Sequence, residues 1–315
     1  MRKSIVVVGS LNLDLVASVN RLPALGETMI GRDFNTYGGG KGANQAVALA
    51  RLGASVKMIG KLGTDAFAKQ LRDEVEQAGV DTSCVGNAKG PSGTALITTS
   101  ADGDNTIVVI AGANGMLLPE DIERYRPQIE EASIVLGQLE IPRETTEYLA
   151  KVVMAAGVPF LLDPAPAYPL SEELLQSVTW LTPNETEAQL LLAAHCSDAS
   201  KLPAPESAER LLRLGVRNVI LKLGARGVYL AGKDVEGTFV DAYHVHAVDT
   251  TAAGDAFNGA FAYALTQNAM APQEAAGFAC AVAALSVTRS GAQTSMPVLS
   301  ECEAFLEQAK SKISA

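Results

Sequence analysis

The sequence predicts an α/β protein with a doubly wound, mostly parallel sheet and a small β-sheet inserted into it. Short apolar runs rich in Val, Ile and Leu alternate with helical segments along most of the 315 residues. Strands that are covered by helices on both faces are continuously apolar, so this alternation indicates a three-layer αβα arrangement. Two segments break the alternation with turn signals and strand patterns, and they indicate the second sheet.

The elements of the main sheet follow in chain order. Its strands are predicted at Ile5–Val8, Val56–Ile59, Ile134–Leu136, Phe160–Leu162, Trp180–Leu181 and Val219–Leu221. The helices between them are predicted at Asn44–Leu52, Asp65–Ala78, Thr145–Ala156, Ser171–Ser177, Glu185–Ala194 and Ser207–Leu214. Two C-terminal helices are predicted at about Asp255–Thr266 and Pro272–Thr288. The first strand follows a basic N-terminus, but its apolar run is too short for a secretory signal.

The inserted sheet is predicted from residues 15–37 and 94–110. In the second segment, strand-like runs at Ala95–Thr99 and Thr106–Ile110 flank Ala101-Asp-Gly-Asp104, which is a strong hairpin signal. No linker divides the chain and no internal repeat is present. Residues 1–315 are therefore predicted to form one domain that contains both sheets.

Composition excludes several classes of partner. The net charge is −10 and no basic stripe is present, so we expect neither nucleic acid nor an anionic membrane surface as a partner. No charge-free apolar stretch reaches the ~18 residues that a membrane span needs. The four cysteines are scattered without metal-ligand or CxxC spacing, which predicts a reducing, cytoplasmic location.

The segment Asp249-Thr-Thr-Ala-Ala-Gly-Asp255 carries the clearest chemical signal. It leads into a helix, so the small residues Ala252, Ala253 and Gly254 fall at the N-terminal turn. Free backbone N–H groups and the helix dipole favour an anion there, and small side chains let a phosphoryl group approach. Asp255 stands where it could accept a proton from an attacking hydroxyl. The alternative is that Asp255 only caps the helix.

Two segments nearer the N-terminus carry a complementary signal. Gly38-Gly-Gly-Lys-Gly-Ala-Asn-Gln-Ala46 is glycine-rich before a helix, but it has neither P-loop nor dinucleotide spacing. Asn12 and Asp14 follow the first strand, two residues apart and on one face, where ligands bind in open α/β sheets. A carboxylate and an amide at that edge suit the hydroxyls of a polyol. Together the motifs predict a kinase for a small hydroxylated molecule.

The chain resembles the ribokinase-like carbohydrate kinase family along its whole length. Residues 39–46 and 249–255 are similar to the two signatures of that family. The similarity includes Pro183-Asn-Glu-Thr-Glu187, Leu223-Gly-Ala-Arg-Gly227 and Thr288-Arg-Ser-Gly-Ala-Gln293. It implies ATP-dependent phosphorylation of D-ribose at the 5-hydroxyl, with Mg²⁺ and K⁺ as cofactors. It also implies that the inserted sheet is a lid over the sugar and that two lids pair in a homodimer.

The resemblance implies a role for each matching residue. The sugar would contact Asn12, Asp14, Gly40, Lys41, Asn44, Glu140 and Asp255, with Ala95, Ile97 and Val109 pressing on it from the lid. Catalysis would use Asp255 as the base and Ala252, Ala253 and Gly254 as the anion pocket. ATP would contact Asn184, Lys222, Leu223, Gly224, Ala225, Arg226, Gly227, Gly254 and Cys280. Glu187 would organise Mg²⁺ through water, and K⁺ would lie at Asp249, Thr251, Ser286, Arg289, Gly291 and Ser295.

Several alternatives stay open at this level. Glu140 before a proline could be a surface-loop residue, and Asn184 with Glu187 could be a helix cap. In the family that the chain resembles, the position of Lys222 is often occupied by a small hydroxyl residue. The position of Cys280 is often occupied by a polar residue. Within kinases, the rivals to ribose are 2-deoxyribose, another sugar and a nucleoside. Outside the kinases, the alternatives are a non-catalytic sugar sensor and, less favoured, a nicotinamide dehydrogenase. A dehydrogenase of that class requires GxGxxG after the first strand.

Overall fold

The structure is a computed structural model that describes residues 4–102, 104–196, 198–233 and 235–313. The strands are β1 Ile5–Val8, β2 Asn12–Ser18, β3 Asp33–Gly39, β4 Val56–Leu62, β5 Asp81–Asn87, β6 Gly93–Thr99, β7 Asn105–Ile110, β8 Val135–Gly137, β9 Phe160–Leu162, β10 Trp180–Leu181, β11 Asn218–Lys222, β12 Val228–Gly232 and β13 Thr238–Val240. The α-helices are α1 Lys41–Arg51, α2 Ala66–Gln77, α3 Pro119–Arg124, α4 Arg126–Glu130, α5 Arg143–Ala156, α6 Glu172–Ser177, α7 Glu185–Leu192, α8 Ala204–Arg213, α9 Ala253–Gln267, α10 Pro272–Ser286 and α11 Leu299–Ile313.

The main sheet confirms the predicted fold class. Its nine strands run in the order β13-β12-β11-β10-β9-β8-β1-β4-β5, and all pairs from β11 to β5 are parallel. β12 and β13 pair antiparallel at one edge. The order reverses direction next to β1, which is the topology of a doubly wound sheet.

The core lies in two layers, one on each face of the main sheet. Ile5 and Val7 of β1 pack in a cluster with residues of α1, α2, α9 and α10. Val6 and Val8 pack in the other cluster, with residues of α5, α6, α7 and α8. Because successive strand residues point to opposite faces, one fully buried strand supplies both layers. This explains why the strand is continuously apolar.

The lid sheet comprises β2, β3, β6 and β7, in the order β3-β2-β6-β7. β2 pairs antiparallel with β3 and parallel with β6, and β6 pairs antiparallel with β7. The second sheet was predicted, although β2 begins at Asn12 and not near residue 15. β6 and β7 form the predicted hairpin, and Gly103 of its predicted turn lies outside the described residues.

Several element boundaries differ from the prediction for local reasons. α1 begins at Lys41 and not at Asn44, because Gly40 adopts a φ of 87° and turns the chain directly into the helix. β5, with the sequence DTSCVGN, is too polar to have been recognised as a strand. The edge strands β12 and β13 and the helices α3, α4 and α11 were also not predicted.

Candidate active site

A cleft of about 520 Å³ lies beside the C-terminal edge of the main sheet. Its walls come from the start of α1, the ends of β9 and β11, the start of α7 and the start of α9. The residues with polar or charged side chains that line it include Lys41, Asp163, Asn184, Glu187, Lys222 and Asp255. The topology therefore gathers residues from distant parts of the chain at the position where open α/β sheets bind ligands.

The N-terminus of α9 forms one wall of the cleft. Ala252 is the N-cap residue with a φ of 59°, and the helix begins at Ala253. Ala252, Ala253 and Gly254 all line the cleft, so their small side chains leave the first-turn amides accessible. A β-carbon at Gly254 would lie 3.2 Å from the Lys222 Nζ atom. The sequence-based prediction of an anion pocket thus fits the backbone here.

Asp255 is buried, with 4% of its surface exposed, in the first turn of α9. Asn44 Nδ2 and Gln45 Nε2 each donate a hydrogen bond of 3.0 Å to its carboxylate. Burial raises the pKa of this carboxyl to about 6, against the opposing attraction of Lys41. The N-cap of α9 is Ala252 and no side chain caps the helix, so the alternative that Asp255 is only a cap is wrong.

Glu140 and Lys41 meet at the start of α1. Glu140 Oε2 accepts hydrogen bonds from the Lys41 backbone N–H at 3.0 Å and from Ser10 Oγ at 2.5 Å. Burial alone would lower the pKa of Lys41, but the carboxylates of Asp255, Asp163 and Glu140 outweigh it and raise that pKa. Glu140 is therefore an anchor at the site and not a free surface-loop residue.

Asn12 and Asp14 lie on one face of β2, as predicted, although they start the lid sheet and do not end a main-sheet strand. Asn12 Oδ1 accepts a hydrogen bond of 2.7 Å from Asn114 Nδ2. Burial, and then repulsion from Glu140 and Asp255, raise the pKa of Asp14 to about 7. The Asp14 carboxylate lies against Gly39, Glu140 accepts from the Lys41 N–H and Asp255 accepts from Asn44, so all three carboxylates flank the start of α1.

The predicted lid contacts lie on the same face as Asp14. Ala95 pairs with Asp14 across β2 and β6, and Val109 pairs with Ala95 across β6 and β7. Ile97 follows two residues after Ala95, so it shares that face. Ala95 is buried, whereas Val109 is 52% exposed. The structure thus places an apolar strip beside the Asp14 carboxylate.

The predicted nucleotide loop is a short 3-10 turn between β11 and β12. Gly224, Ala225, Gly227, Lys222 and Cys280 line the cleft. Leu223 instead packs in the core, and Arg226 forms an ion pair of 2.6 Å with Glu185. The side chains of Leu223 and Arg226 therefore point away from the cleft, and an ATP contact by either residue would have to come from its backbone.

Asn184 and Glu187 form a capping box at the start of α7. The Glu187 N–H donates to Asn184 Oδ1 at 2.8 Å, and the Asn184 N–H donates to Glu187 Oε2 at 2.7 Å. The helix-cap alternative is thus correct, yet both residues also line the cleft. Burial raises the pKa of Glu187. Attraction to Lys222 lowers this pKa, and repulsion from Asp163 raises it further. A pair of mutually repelling carboxylates at the cleft suits a hard divalent cation such as Mg²⁺.

The residues predicted to hold K⁺ lie on two adjacent loops, apart from Ser286, which ends α10. Asp249 joins these loops, since its Oδ1 accepts from the Thr251 N–H and its Oδ2 from the Gly291 N–H, both at 2.9 Å. Arg289 forms an ion pair of 2.7 Å with Glu301, and the carbonyl of Ser286 accepts from the Arg289 N–H. Ser295 Oγ donates to the carbonyl of Ala292. Within the described ranges, no group of three His, Cys, Asp or Glu side chains could hold a metal ion.

The sequence-based prediction missed four polar residues that shape the site. Gln138 Nε2 donates to Gln45 Oε1 at 2.8 Å, which orients the Gln45 amide toward Asp255 and Asp163. Asp163 also forms an ion pair of 3.0 Å with Lys222. The fourth residue, Asn114, donates a hydrogen bond to Asn12 Oδ1. One signal could have revealed Asp163, because a carboxylate directly follows the buried strand β9.

The pattern that defines the pfkB family of carbohydrate kinases matches residues 2–299. The chain belongs to this family. A ribokinase of Haemophilus influenzae is 40% identical over 310 residues, covering 98% of this chain and 100% of the relative. The structure of an Arabidopsis thaliana ribokinase complexed with ribose and ATP superimposes with a TM-score of 0.88 at 35% identity, covering 97% of this chain and 99% of the other.

Family members that act on a related sugar are also similar to this carbohydrate kinase. A deoxyribokinase of Salmonella typhi is 36% identical over 306 residues, covering 96% of this chain and 98% of the relative. The family resemblance and the fold predicted from the sequence are therefore confirmed. No helix within the described part of this family member is long and apolar enough to cross a membrane.

Proposed function

We propose that the protein is an ATP-dependent kinase that phosphorylates D-ribose at the 5-hydroxyl, giving ribose 5-phosphate and ADP. One observation carries this proposal: the buried Asp255 carboxylate lies at the small-residue N-terminus of α9, and the carboxylates of Asp14 and Glu140 flank the same start of α1 that Asp255 contacts through Asn44. The Asp255 carboxylate at the N-terminus of α9 suits phosphoryl transfer. The carboxylates of Asp14 and Glu140 suit the hydroxyls of a polyol. The similarity to ribokinases supports ribose as the polyol.

The sugar would lie between β2, the lid and the start of α1. We assign its contacts to Asn12, Asp14, Gly40, Lys41, Asn44 and Glu140, with Ala95, Ile97 and Val109 above it. Asn44 supports this assignment, because its Nδ2 donates to Asp255 while its buried Oδ1 has no partner among the described residues. A sugar hydroxyl could donate to that oxygen and so be held beside the base.

In the transfer step, Asp255 accepts the proton of the attacking 5-hydroxyl. The O5–P bond forms as the bond from the γ-phosphorus to the bridging oxygen breaks, and ADP leaves with that electron pair. The amides of Ala252–Asp255 stabilise the charge on the transferring phosphoryl group. Asn184, Lys222, Gly224, Ala225, Gly227 and Cys280 would line the ATP side, and Glu187 would organise Mg²⁺ through water. The ion itself neutralises charge on the nucleotide phosphates when bound.

We also propose a K⁺ ion at the loops that Asp249 joins. Its ligands would be mostly carbonyl oxygens at Asp249, Thr251, Ser286, Arg289, Gly291 and Ser295, which suits a weakly charged cation better than a carboxylate cluster would. The loop that contains Asp249 leads directly into the anion pocket of α9. A cation there would brace the pocket without contacting the substrate.

The chain would work as one domain with a mobile lid, in the cytoplasm, where its four free thiols stay reduced. Two lids would pair to form a homodimer. The lid face opposite Asp14 supports this, since Leu96, Val108 and Ile110 are 44–58% exposed on it. We expect sedimentation to give twice the chain mass and Val108→Asp to give a monomer, whereas a monomeric native protein at assay concentration would contradict the pairing.

The first experiment is turnover of ATP by purified protein with Mg²⁺ against ribose, 2-deoxyribose, fructose and adenosine, each with K⁺ and with Na⁺. We expect ribose-dependent release of ADP that is faster with K⁺. A preference for 2-deoxyribose would change the proposed substrate from ribose to 2-deoxyribose and leave the proposed mechanism unchanged. No turnover with any acceptor, combined with ribose binding in calorimetry, would indicate the sugar sensor instead. Equal rates in K⁺ and Na⁺ would contradict the cation site.

A further inference from the structure

The wall of the cleft around the transferring phosphoryl group carries few positive charges. Lys41 and Lys222 are the only lysines or arginines among the residues that line the described cleft. The same wall holds the carboxylates of Asp163, Glu187 and Asp255. Lys41 is attracted to carboxylates on both sides of the cleft, namely Asp255, Asp163, Glu140 and Glu187. Of these two lysines, Lys222 lies against the anion pocket, since a β-carbon at Gly254 would be 3.2 Å from its Nζ.

Lys222 places its ammonium at the N-terminus of α9, where its only ion pair within the described residues is with Asp163. It ends β11, its side chain is only 15% exposed, and its Nζ lies against Gly254 at the positive end of α9. A cation is disfavoured at the N-terminus of a helix, whereas an anion is favoured. A phosphoryl group bound at the α9 amides would carry negative charge. It would therefore attract both the amides and the Lys222 ammonium.

Asp163 holds the ammonium in this position. Its carboxylate is 2% exposed and accepts from Lys222 Nζ at 3.0 Å through Oδ1. Its Oδ2 accepts from Gln45 Nε2 at 3.1 Å, and the same amide donates to Asp255. One ammonium hydrogen is thus occupied by Asp163. The other donors of Lys222 remain for a group in the cleft.

We propose that Lys222 is a catalytic residue that binds the γ-phosphoryl group of ATP together with the first-turn amides of α9, with Asp163 as its positioning residue. This inference rests on the proposed function, because it names a further part of the same transfer step. No bond to Lys222 forms or breaks in the transfer step. Its contact strengthens as negative charge develops on the oxygens of the transferring group.

The test compares Lys222→Met with Lys151→Met, which removes an exposed lysine on α5. We expect Lys222→Met to lower kcat by about 10²-fold, as loss of one preorganised donor does. The KM for ribose should stay within about twofold, and Lys151→Met should match the native protein on both measures. An unchanged kcat in Lys222→Met would overturn the proposal.

A purely structural role for the ion pair makes a different prediction. Removing Lys222 alone leaves Asp163 buried and unpaired, which would itself disturb the site. The double variant Lys222→Met with Asp163→Asn removes that charge. We expect it to recover the thermal midpoint lost in Lys222→Met while kcat stays low. Recovery of kcat together with stability would show that the lysine acts only as a partner of Asp163.

A binding measurement separates this proposal from the proposed function. Calorimetry with Mg²⁺ should show that Lys222→Met loses at least about tenfold in affinity for ATP, as expected when a charged hydrogen bond is lost, and little for ADP. Equal losses for both nucleotides would overturn the γ-phosphoryl contact. If the native protein turned over no sugar at all, the proposed function would be wrong. The affinities for ATP and ADP would still show whether Lys222 contacts the γ-phosphoryl group.

Discussion

Asp255→Asn is expected to lower kcat by about 10²-fold or more while leaving the affinity for ribose nearly intact. The amide keeps the size of the side chain and can still accept from Asn44 or Gln45, which donate to the carboxylate in the structure. It cannot take the proton of the attacking hydroxyl. Single-turnover rates with ATP and ribose measure the first effect, and calorimetry with ribose alone measures the second.

Asp102→Asn is the matched control, since Asp102 is exposed at the tip of the lid hairpin. It should behave as the native protein in both measurements. A loss of ribose binding in Asp255→Asn equal to its loss of turnover would assign Asp255 to substrate binding and not to proton transfer.

The same carboxylate determines the expected pH dependence. A general base must be deprotonated, and burial raises the pKa of Asp255 to about 6. The kcat/KM for ribose, which reports the free enzyme, should therefore be low below pH 6, rise through that value and level off above it. The residual activity of Asp255→Asn should lack this rise. Retention of the rise would assign it to another group, of which Asp14, with a pKa raised to about 7, is the first candidate.

Phe261→Ala is expected to lower the free energy of unfolding by about 3–5 kcal/mol. Phe261 is fully buried on α9 between Trp180 of β10, at 4.9 Å between ring centroids, and Phe257, at 6.1 Å. Truncation removes both ring contacts and leaves a cavity against the sheet that α9 covers. Denaturant unfolding of the native and variant proteins measures the loss.

Phe239→Ala provides the control for this prediction. Phe239 is 55% exposed and contacts Tyr229 at the sheet edge, so its removal should change the unfolding free energy by less than about 1 kcal/mol. Because the N-terminus of α9 carries the anion pocket, turnover of folded Phe261→Ala should also fall. A loss in Phe261→Ala no larger than in Phe239→Ala would show that this helix is not anchored by its aromatic core.

Features that depend on short stretches of sequence were predictable. β1 and β9 were predicted from apolar runs, α2 from its amphipathic pattern, and the lid from its alternation. The anion pocket followed from small residues before the apolar face of α9. The glycines at positions 38–40 indicated an unusual backbone conformation before a helix, although not that α1 would begin directly after them.

Features that depend on residues brought together by the fold were not predictable in the same way. Gln45 and Gln138 are 93 positions apart and meet only because α1 and the segment after β8 share one edge of the sheet. The core packing of Leu223 and the outward ion pair of Arg226 are decided by neighbours on α7 and by the core, not by the loop sequence that contains them.

The sequence by itself determined the fold class, the lid and the position of Asp255 at a helix start, because periodicity and small-residue runs act over a few residues. The tertiary structure alone decided how that carboxylate is charged and what surrounds it. Burial, the Gln45 amide and the Asp163–Lys222 pair come from separate elements. Electrostatic energies depend on distance and solvent exposure, and both are set only when the chain has closed around the cleft.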